Sequence, residues 1–153
     1  MIHLLYGNDQ AVANWVQQQL PEIVNGFGEY AAIGILDGNT PIAGVVYHDY
    51  RRFTIQMSMA SLSPHWCNRR TLRALLGYPF HQLMVARITA YTGKHNKALR
   101  SLVERLGFQL EGRIRGGFDG RKDALVYGML RKEAERWIGV TNGQRSSTAT
   151  ASA

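Results

Sequence analysis

Cysteine and long apolar runs are scarce in this chain of 153 residues. The single cysteine, Cys67, excludes an internal disulfide and a metal site built from several cysteines. No apolar run approaches the roughly 20 residues of a membrane-spanning helix. The first ten residues lack the basic region and the apolar stretch of a secretory signal peptide. Because 45% of the residues are hydrophobic, a mostly disordered chain is also excluded, and we expect one soluble, cytoplasmic domain.

Basic residues are absent from the first 50 positions, a segment that carries a charge of −5 from its acidic residues, Asp9, Glu22, Glu29, Asp37 and Asp49. The rest of the chain has 18 basic and 6 acidic residues, a net charge of +12. Fourteen of the basic residues are arginine, which suits bidentate contact with phosphate or carboxylate. Solubility and chance also produce such asymmetry. The alternative is that the later part faces a phosphorylated ligand and the first third a cationic one.

Turn residues and short apolar segments predict an antiparallel meander in the first half of the chain. Strands are expected at residues 2–6, 30–36, 42–48 and 53–60. A helix capped by Asn8 or Asp9 should follow the first strand, and residues 22–28 should form a short helix or a loop. The Asp-Gly-Asn turn at residues 37–39 is a strong hairpin signal.

Helical spacing of apolar residues begins in the second half of the chain. It predicts a helix over 72–83, which Pro79 should kink or end, and another from Asn96 to the helix stop at Gly107. Further strands are expected at residues 85–91, 110–118 and 124–130, the last two as a hairpin. Because a helix joins the strands at 53–60 and 85–91, these two should be parallel.

Residues 95–108, HNKALRSLVERLGF, are followed by Glu-Gly at 111–112. This segment resembles the GCN5-related N-acetyltransferases (GNAT), in which an Asn after a strand, an amphipathic helix, Leu-Gly-Phe and often Glu-Gly follow one another. The run 113–129 is similar to the branch that includes the ribosomal-protein N-terminal acetyltransferases, and similar chains occur in bacteriophage genomes. The resemblance covers residues 60–137 well and residues 1–59 only by the order of elements.

The resemblance implies an α/β (α+β) fold with a mixed, mostly antiparallel sheet of six to seven strands and helices on both faces, the GNAT-like acyl-CoA N-acyltransferase fold. We expect one domain over residues 1–138. Residues 139–153 lack apolar periodicity and should form a flexible tail. In the family, acetyl-CoA lies between two splayed parallel strands, which here end near Ala60 and Tyr91. A cytoplasmic location is expected, in the host cytoplasm if a phage encodes the protein.

The cofactor-binding residues that the resemblance implies lie at a strand end, in a loop and at two helix starts. They are Ala60, Ser61, Cys67, Asn68, Arg69, Arg70, Thr71, Asn96, Lys97 and Arg100. The family usually has glycines in its pyrophosphate loop, whereas residues 67–72 read CNRRTL. Either Arg69 and Arg70 supply charge in place of close backbone approach, or cofactor binding is lost and the domain is a non-catalytic relative.

Acetyl transfer needs a neutral amine, a donor for the oxyanion and an acid for the leaving thiolate. Many relatives carry a Tyr as that acid where this chain has Val103, and often a Glu where it has Gln56. The remaining candidates are Tyr91 and Thr92 for the acid, and Glu29, His48, Asp49 and Asp123 for the base. Each of these four is also explained as an ordinary surface or hairpin residue. Direct attack by the amine, with water relaying protons, needs no dedicated carboxylate.

These expectations describe an acetyl-CoA-dependent N-acetyltransferase that acts on a small amine or a protein N-terminus through a tetrahedral intermediate. The acidic first third would attract a cationic acceptor. The alternatives are an aminoacyl-tRNA-acetylating or nucleic-acid-binding protein of this fold, and a catalytically inactive binding or inhibitory protein. No metal is expected, because the five histidines form no i,i+4 pair and no cluster with cysteine. No membrane partner is expected, and a homodimer and nucleic acid are further candidate partners.

Overall fold

The computed structural model describes residues 1–140, which form a seven-stranded sheet. The strands are β1 (Ile2–Leu5), β2 (Tyr30–Asp37), β3 (Thr40–His48), β4 (Thr54–Ser61), β5 (Arg87–Gly93), β6 (Gln109–Ile114) and β7 (Ala124–Leu130). Their order across the sheet is β1-β2-β3-β4-β5-β7-β6. β4 and β5 pair in parallel, as predicted, and the other neighbours are antiparallel. The predicted fold class is confirmed.

Helices cover both faces of the sheet. They are α1 (Asp9–Gln19), α2 (Arg69–Gly77), α3 (Lys97–Leu106) and α4 (Arg131–Ile138). On one face, Val12 and Val16 of α1 pack against Ala32 of β2 and Val46 of β3. Because side chains alternate along a strand, we call this the α1 face and the opposite one the α2 face.

The larger core lies on the α2 face, where α2, α3 and α4 pack. Val45, Ile88 and Met129 are fully buried there and belong to one cluster with Leu75 of α2 and Val103 of α3. Hydrophobic burial is worth roughly 25 cal/mol per Å² of apolar surface, so this cluster is the main stabilising element. It joins strands from both halves of the sheet to three of the four helices.

Pro79 ends α2, as the sequence predicted. The α-helix stops at Gly77, and Tyr78–Gln82 continue it as one π-helical turn. Proline has no N–H to donate and its ring crowds the preceding turn, so the regular helical ladder cannot continue through it. Residues 20–29 contain no helix, which decides between the two predictions for 22–28 in favour of a loop.

The strand predicted over 110–118 was wrong in its length, because β6 ends at Ile114. In the wide turn that follows, hydrogen bonds from backbone N–H groups to side-chain carboxylates take the place of hydrogen bonds between strands. The Asp119 carboxylate accepts hydrogen bonds from the backbone N–H groups of Arg121 and Lys122, at 3.0 and 2.8 Å. Asp123 accepts one from the N–H of Gly116 at 2.9 Å.

Helix α4 follows β7 directly and was not predicted. The Glu133 carboxylate accepts a hydrogen bond from the backbone N–H of Leu130 at 2.7 Å and so caps its first turn. Ala134 and Ile138, four residues apart, are buried and anchor the helix on the core.

The predicted tail starts at Gly139, but residues 141–153 lie outside the described residues, so the division into a domain and a tail stays a prediction. Among residues 1–140, no helix is long and apolar enough to cross a membrane.

Candidate active site

β4 and β5 are joined only at one end. Their paired residues are Thr54 with Arg87, Ile55 with Ile88, and Gln56 with Thr89. Beyond Gln56 the two strands separate, although β4 stays paired with β3 as far as Ser61 and β5 with β7 as far as Gly93. Within residues 1–140, the backbone N–H and C=O groups that face this gap therefore lack a partner strand.

A cleft of about 700 Å³ opens at the gap. The end of β4 from Met59 to Ser61, with Leu62 after it, forms one wall and α3 forms another, with Leu99 and Leu102 as its apolar lining. Leu20, at the end of α1, closes it from the α1 face. The volume lies within the range of roughly 300–1,000 Å³ that is typical of ligand pockets. We call this space the β4–α3 cleft.

Four predicted cofactor residues line the β4–α3 cleft, namely Ala60, Ser61, Cys67 and Asn96. The Ser61 hydroxyl accepts a hydrogen bond from the indole N–H of buried Trp66 at 2.8 Å and donates one to the Ser63 carbonyl at 2.9 Å. The Asn96 side chain accepts from the N–H of Leu99 at 3.1 Å and so caps α3. Asn96 is thus both a helix cap and a cleft residue.

The glycine-free loop into α2 has ordinary backbone geometry. Cys67 has a φ of −77° and Asn68 is extended, with φ −132° and ψ 170°, so neither position requires glycine. The Asn68 side chain accepts from the Thr71 N–H at 3.0 Å, and the Thr71 hydroxyl accepts from the Asn68 N–H at 3.2 Å. This capping box leaves the N–H groups of Arg69 and Arg70 without an acceptor among residues 1–140. Such groups suit an anion.

The side chains of these two arginines have different surroundings. The Arg69 guanidinium donates to the Arg136 carbonyl at 2.7 Å and lies 5.7 Å from the ring centre of Trp137. Arg70 is exposed and makes no side-chain hydrogen bond or ion pair within the described part of the chain. Arg70 is therefore available to a ligand, whereas Arg69 is held against α4.

Lys97 and Arg100, three residues apart on α3, both lie outside the lining of the β4–α3 cleft. Lys97 is exposed in the first turn of the helix. Arg100 donates to the Lys94 carbonyl at 3.0 Å and lines a separate groove with Leu110 and Arg113. The structure thus does not bring Arg100 into the β4–α3 cleft.

Ser101 and Arg105 line the cleft in its place and were not predicted. Together with Ala98 they recur at positions i, i+3 and i+7, the spacing of residues on one helix face. Both residues could have been predicted from the sequence by applying this helical spacing to the helix that Asn96 caps.

Glu29 and Asp49 lie together, but away from the cleft. Both line a pocket of about 510 Å³ with Tyr78 and Ile55. Ile55 precedes Ser61 by six residues of β4, which corresponds to about 20 Å along a strand. These two carboxylates therefore belong to the opposite end of β4.

Tyr91 and Thr92 lie on β5 beyond its last pair with β4, and they point to opposite faces. Tyr91 is 45% exposed on the α1 face. Thr92 is buried on the α2 face, where its hydroxyl has no hydrogen-bond partner within residues 1–140. Neither residue lines the β4–α3 cleft.

Polar side chains gather on the α1 face where the strands separate. His48, Gln56 and Thr89 occupy facing positions on β3, β4 and β5. The Nε2 atom of His48 lies 2.8 Å from the hydroxyl of Ser58, and its ring packs 5.1 Å from that of Phe27. Burial lowers the pKa of His48 below its ordinary value, an effect that the nearby Asp49 carboxylate opposes. The ring is therefore mainly neutral at pH 7.

Cys67 is a free thiol at the edge of the cleft. Burial raises its pKa, and the positive charge of Arg105 opposes that rise. The protonated thiol that results does not favour a nucleophilic role. Among residues 1–140, no three His, Cys, Asp or Glu side chains come together as a metal site.

The Leu-Gly-Phe and Glu-Gly motifs have structural roles. Gly107 ends α3 with a φ of 111°, a left-handed conformation that favours glycine. Glu111 forms a bidentate ion pair with Arg87, at 2.7 and 3.2 Å. This pair passes over Gly128 of β7, where any side chain would collide with both partners. The motifs therefore shape the sheet around the cleft and do not line it.

Several solved structures share this fold. A protein described as "Probable acetyltransferase" has a TM-score of 0.66 and 15% identity over 86% of this chain and 94% of its own. Mutant forms of the spermidine/spermine N-acetyltransferase SpeG from Vibrio cholerae have a TM-score of 0.68 and 14% identity, over 89% and 98%. A GNAT-family acetyltransferase from Bacillus anthracis has a TM-score of 0.55 and 22% identity, over 66% of this chain and 66% of its own. No family model and no curated protein matches the chain. These likenesses show the acetyltransferase fold.

Proposed function

We propose that the protein is an acetyl-CoA-dependent N-acetyltransferase that transfers the acetyl group to an amine. The gap between β4 and β5 is the observation that carries this proposal, because in the described part of the chain it leaves one backbone edge of β4 unpaired beside a cleft. The pantetheine arm of acetyl-CoA is an extended chain with two amides. It can bond to the free backbone groups of Met57 to Ser61 in the manner of an added strand.

The phosphates of acetyl-CoA fit the positive end of the site. The free N–H groups of Arg69 and Arg70 begin α2, and the helix dipole adds partial positive charge there. The Arg70 side chain is available beside them, and Arg105 adds charge within the cleft. Lys97 lies at the start of α3, the other helix that begins near the cleft.

The reaction would proceed by direct attack. The amine nitrogen forms a bond to the thioester carbon, the carbonyl oxygen becomes an oxyanion, and the carbon–sulfur bond then breaks. Unpaired N–H groups along the gap suit the oxyanion. Tyr91, whose hydroxyl group lies on a partly exposed side chain of β5 beyond Thr89, is our candidate for the acid that protonates the thiolate.

The acceptor is proposed as an amine, and its subclass is left to experiment. Glu29 and Asp49 line the pocket beside Ile55 and not the β4–α3 cleft. They would therefore attract a cationic acceptor toward that end of β4 and not into the cleft itself. The likeness to a spermidine/spermine acetyltransferase favours polyamines in the panel, and the resemblance to the ribosomal-protein branch favours protein N-termini.

Calorimetry with acetyl-CoA and CoA tests the proposal first. A thiol-release assay then follows acetyl transfer to polyamines, basic peptides with free N-termini, aminoglycosides and aminoacyl-tRNA. We expect binding of both nucleotides and turnover with at least one amine. A protein that is folded by circular dichroism but binds neither nucleotide would contradict the proposal. Binding without turnover across the whole panel would instead favour the catalytically inactive alternative.

A further inference from the structure

Resting on the proposed function, we propose that His48 accepts, through the hydroxyl of Ser58, the proton that the acceptor amine loses. Neither residue lines the β4–α3 cleft. Their place beside the gap comes from the register of three strands. Ser58 is the residue in contact with the amine, and His48 acts behind it.

The register places Ser58 at the mouth of the gap. Gln56 and Thr89 form the last pair between β4 and β5. Because side chains alternate, the next residues on the α1 face are Ser58 on β4 and Tyr91 on β5. These two side chains therefore flank the gap where it begins, and His48 contacts Ser58 from β3.

The α1 face leaves room for an acceptor at this point. Helix α1 packs on β2 and β3 and only lightly on β4, and no helix among residues 1–140 covers the α1 face of β5. Tyr91 is accordingly 45% exposed. The cleft is lined from both faces of the sheet, by Gln19 of α1 and Leu102 of α3. An amine on the α1 face thus meets a thioester held in the cleft across the gap.

The surroundings of His48 keep it able to accept a proton. Phe27 packs on its ring and Tyr30 faces it on β2. The charged groups nearby are Asp49, next in the chain, Glu29, before β2, and the Arg87–Glu111 pair on β5 and β6. Arg87 and Glu111 neutralise each other. Burial lowers the pKa of His48 and Asp49 opposes this, so a neutral ring can accept the Ser58 O–H at Nε2.

The protons balance in the following way. The ammonium gives one proton to the Ser58 oxygen while Ser58 gives its own to Nε2 of His48, which later releases it to solvent. The nitrogen lone pair forms the bond to the thioester carbon. When the carbon–sulfur bond breaks, the thiolate takes the proton of the Tyr91 hydroxyl, and Tyr91 recovers a proton from the acylated nitrogen. The products are the amide, CoA thiol and one released proton.

The test compares kcat/KM from pH 5 to pH 9 for wild type, His48→Gln and Ser58→Ala, with His3→Gln as the matched control. His3 is an exposed histidine on β1, outside the proposed machinery. Wild type and His3→Gln should lose activity only at a pH below about 6.5, the ordinary pKa of histidine, because burial lowers the pKa of His48. His48→Gln should lose about 100-fold in kcat and lose this acid limb, while the acetyl-CoA affinity stays unchanged. Ser58→Ala should lose at least about tenfold in kcat.

Each result decides the matter. If the wild-type protein acetylates an amine and both variants keep its kcat and its pH profile, this proposal is overturned and the proposed function stands. A wild-type protein that neither binds acetyl-CoA nor acetylates an amine would overturn both. If circular dichroism shows that His48→Gln is unfolded, Ser58→Ala carries the test, and wild-type kcat in that variant would overturn the relay.

Discussion

The two ends of β4 pair with different neighbours. From Thr54 to Gln56 it is paired with β5, and Ile55 is buried in the core. From Met57 to Ser61 it is paired, among residues 1–140, with β3 alone. The end paired with β5, which we call the paired end, contributes to the fold, because β4 joins the two halves of the sheet there. The open end keeps one edge for a ligand.

This difference separates two kinds of residue by position along one strand. Substitutions at the paired end should change the free energy of unfolding, and substitutions around the open end should change ligand affinity. Four experiments test that separation.

The largest effect should come from Ile88→Ala at the paired end. Ile88 faces Ile55 and is fully buried, so its removal should lower the free energy of unfolding by about 2–5 kcal/mol. Urea denaturation measures this. The control is Leu62→Ala at the open end, which is 63% exposed and should cost less than about 0.5 kcal/mol. Equal losses of unfolding free energy in the two variants would contradict the proposed difference between the two ends of β4.

Ser101→Trp should block the cleft. Ser101 is exposed on α3 and lines the cleft, so an indole there occupies ligand space without disturbing the core. Acetyl-CoA affinity should fall by more than tenfold, about 1.4 kcal/mol, in calorimetry. Ser101→Ala is the matched control and should bind as wild type does. Unimpaired binding in Ser101→Trp would place the nucleotide elsewhere.

Arg70→Ala and Arg69→Ala should differ, although the residues are adjacent. Arg70 is free to contact phosphate, and hydrogen bonds to charged groups contribute about 1.5–3 kcal/mol, so its loss should weaken CoA binding about tenfold or more. Arg69→Ala should instead lower the free energy of unfolding by about 0.5–1.5 kcal/mol, because it loses its bond to the Arg136 carbonyl. Indistinguishable CoA affinities in the two variants would argue against this assignment.

Alkylation of Cys67 should give the smallest effect. Because burial raises its pKa, the thiolate fraction is low at pH 7 and should grow as the pH rises. Iodoacetamide labelling, followed by mass spectrometry, should therefore be slow at pH 7 and faster at pH 9. Bound CoA should slow it further, since Cys67 lines the cleft. Labelling that ignores CoA would mean that the ligand does not reach this side of the cleft.

Local patterns predicted much of the fold and less of the site. Turn residues and periodicity located the strands, and the crossover helix implied the parallel pair. The length of that pair depends on how two distant strands diverge, which no local pattern records. Helix α4 was missed because its eight residues are mostly charged and only Ala134 and Ile138 mark its buried side.

The site residues show the same limit. Asn96 and the residues at 60, 61 and 67 could be placed by the order of elements. Arg100 was predicted and Arg105 was missed, because the rotation of α3 against the sheet is a tertiary property. Glu29 and Asp49 were chosen because the first 50 residues have a net negative charge. A net charge does not say where its residues lie in the fold, and the structure places these two at the far end of β4.

The capping box at the start of α2 has a consequence for the thermodynamics of binding. Asn68 and Thr71 order the first helical turn through their own hydrogen bonds, before any phosphate arrives. A glycine-rich loop has more backbone freedom and loses more conformational entropy when a ligand fixes it. Under the proposed function, this chain would therefore reach its phosphate-binding conformation during folding. Preorganisation of this kind raises affinity by reducing the entropy lost on association, which offsets the looser backbone approach that side chains at these positions impose.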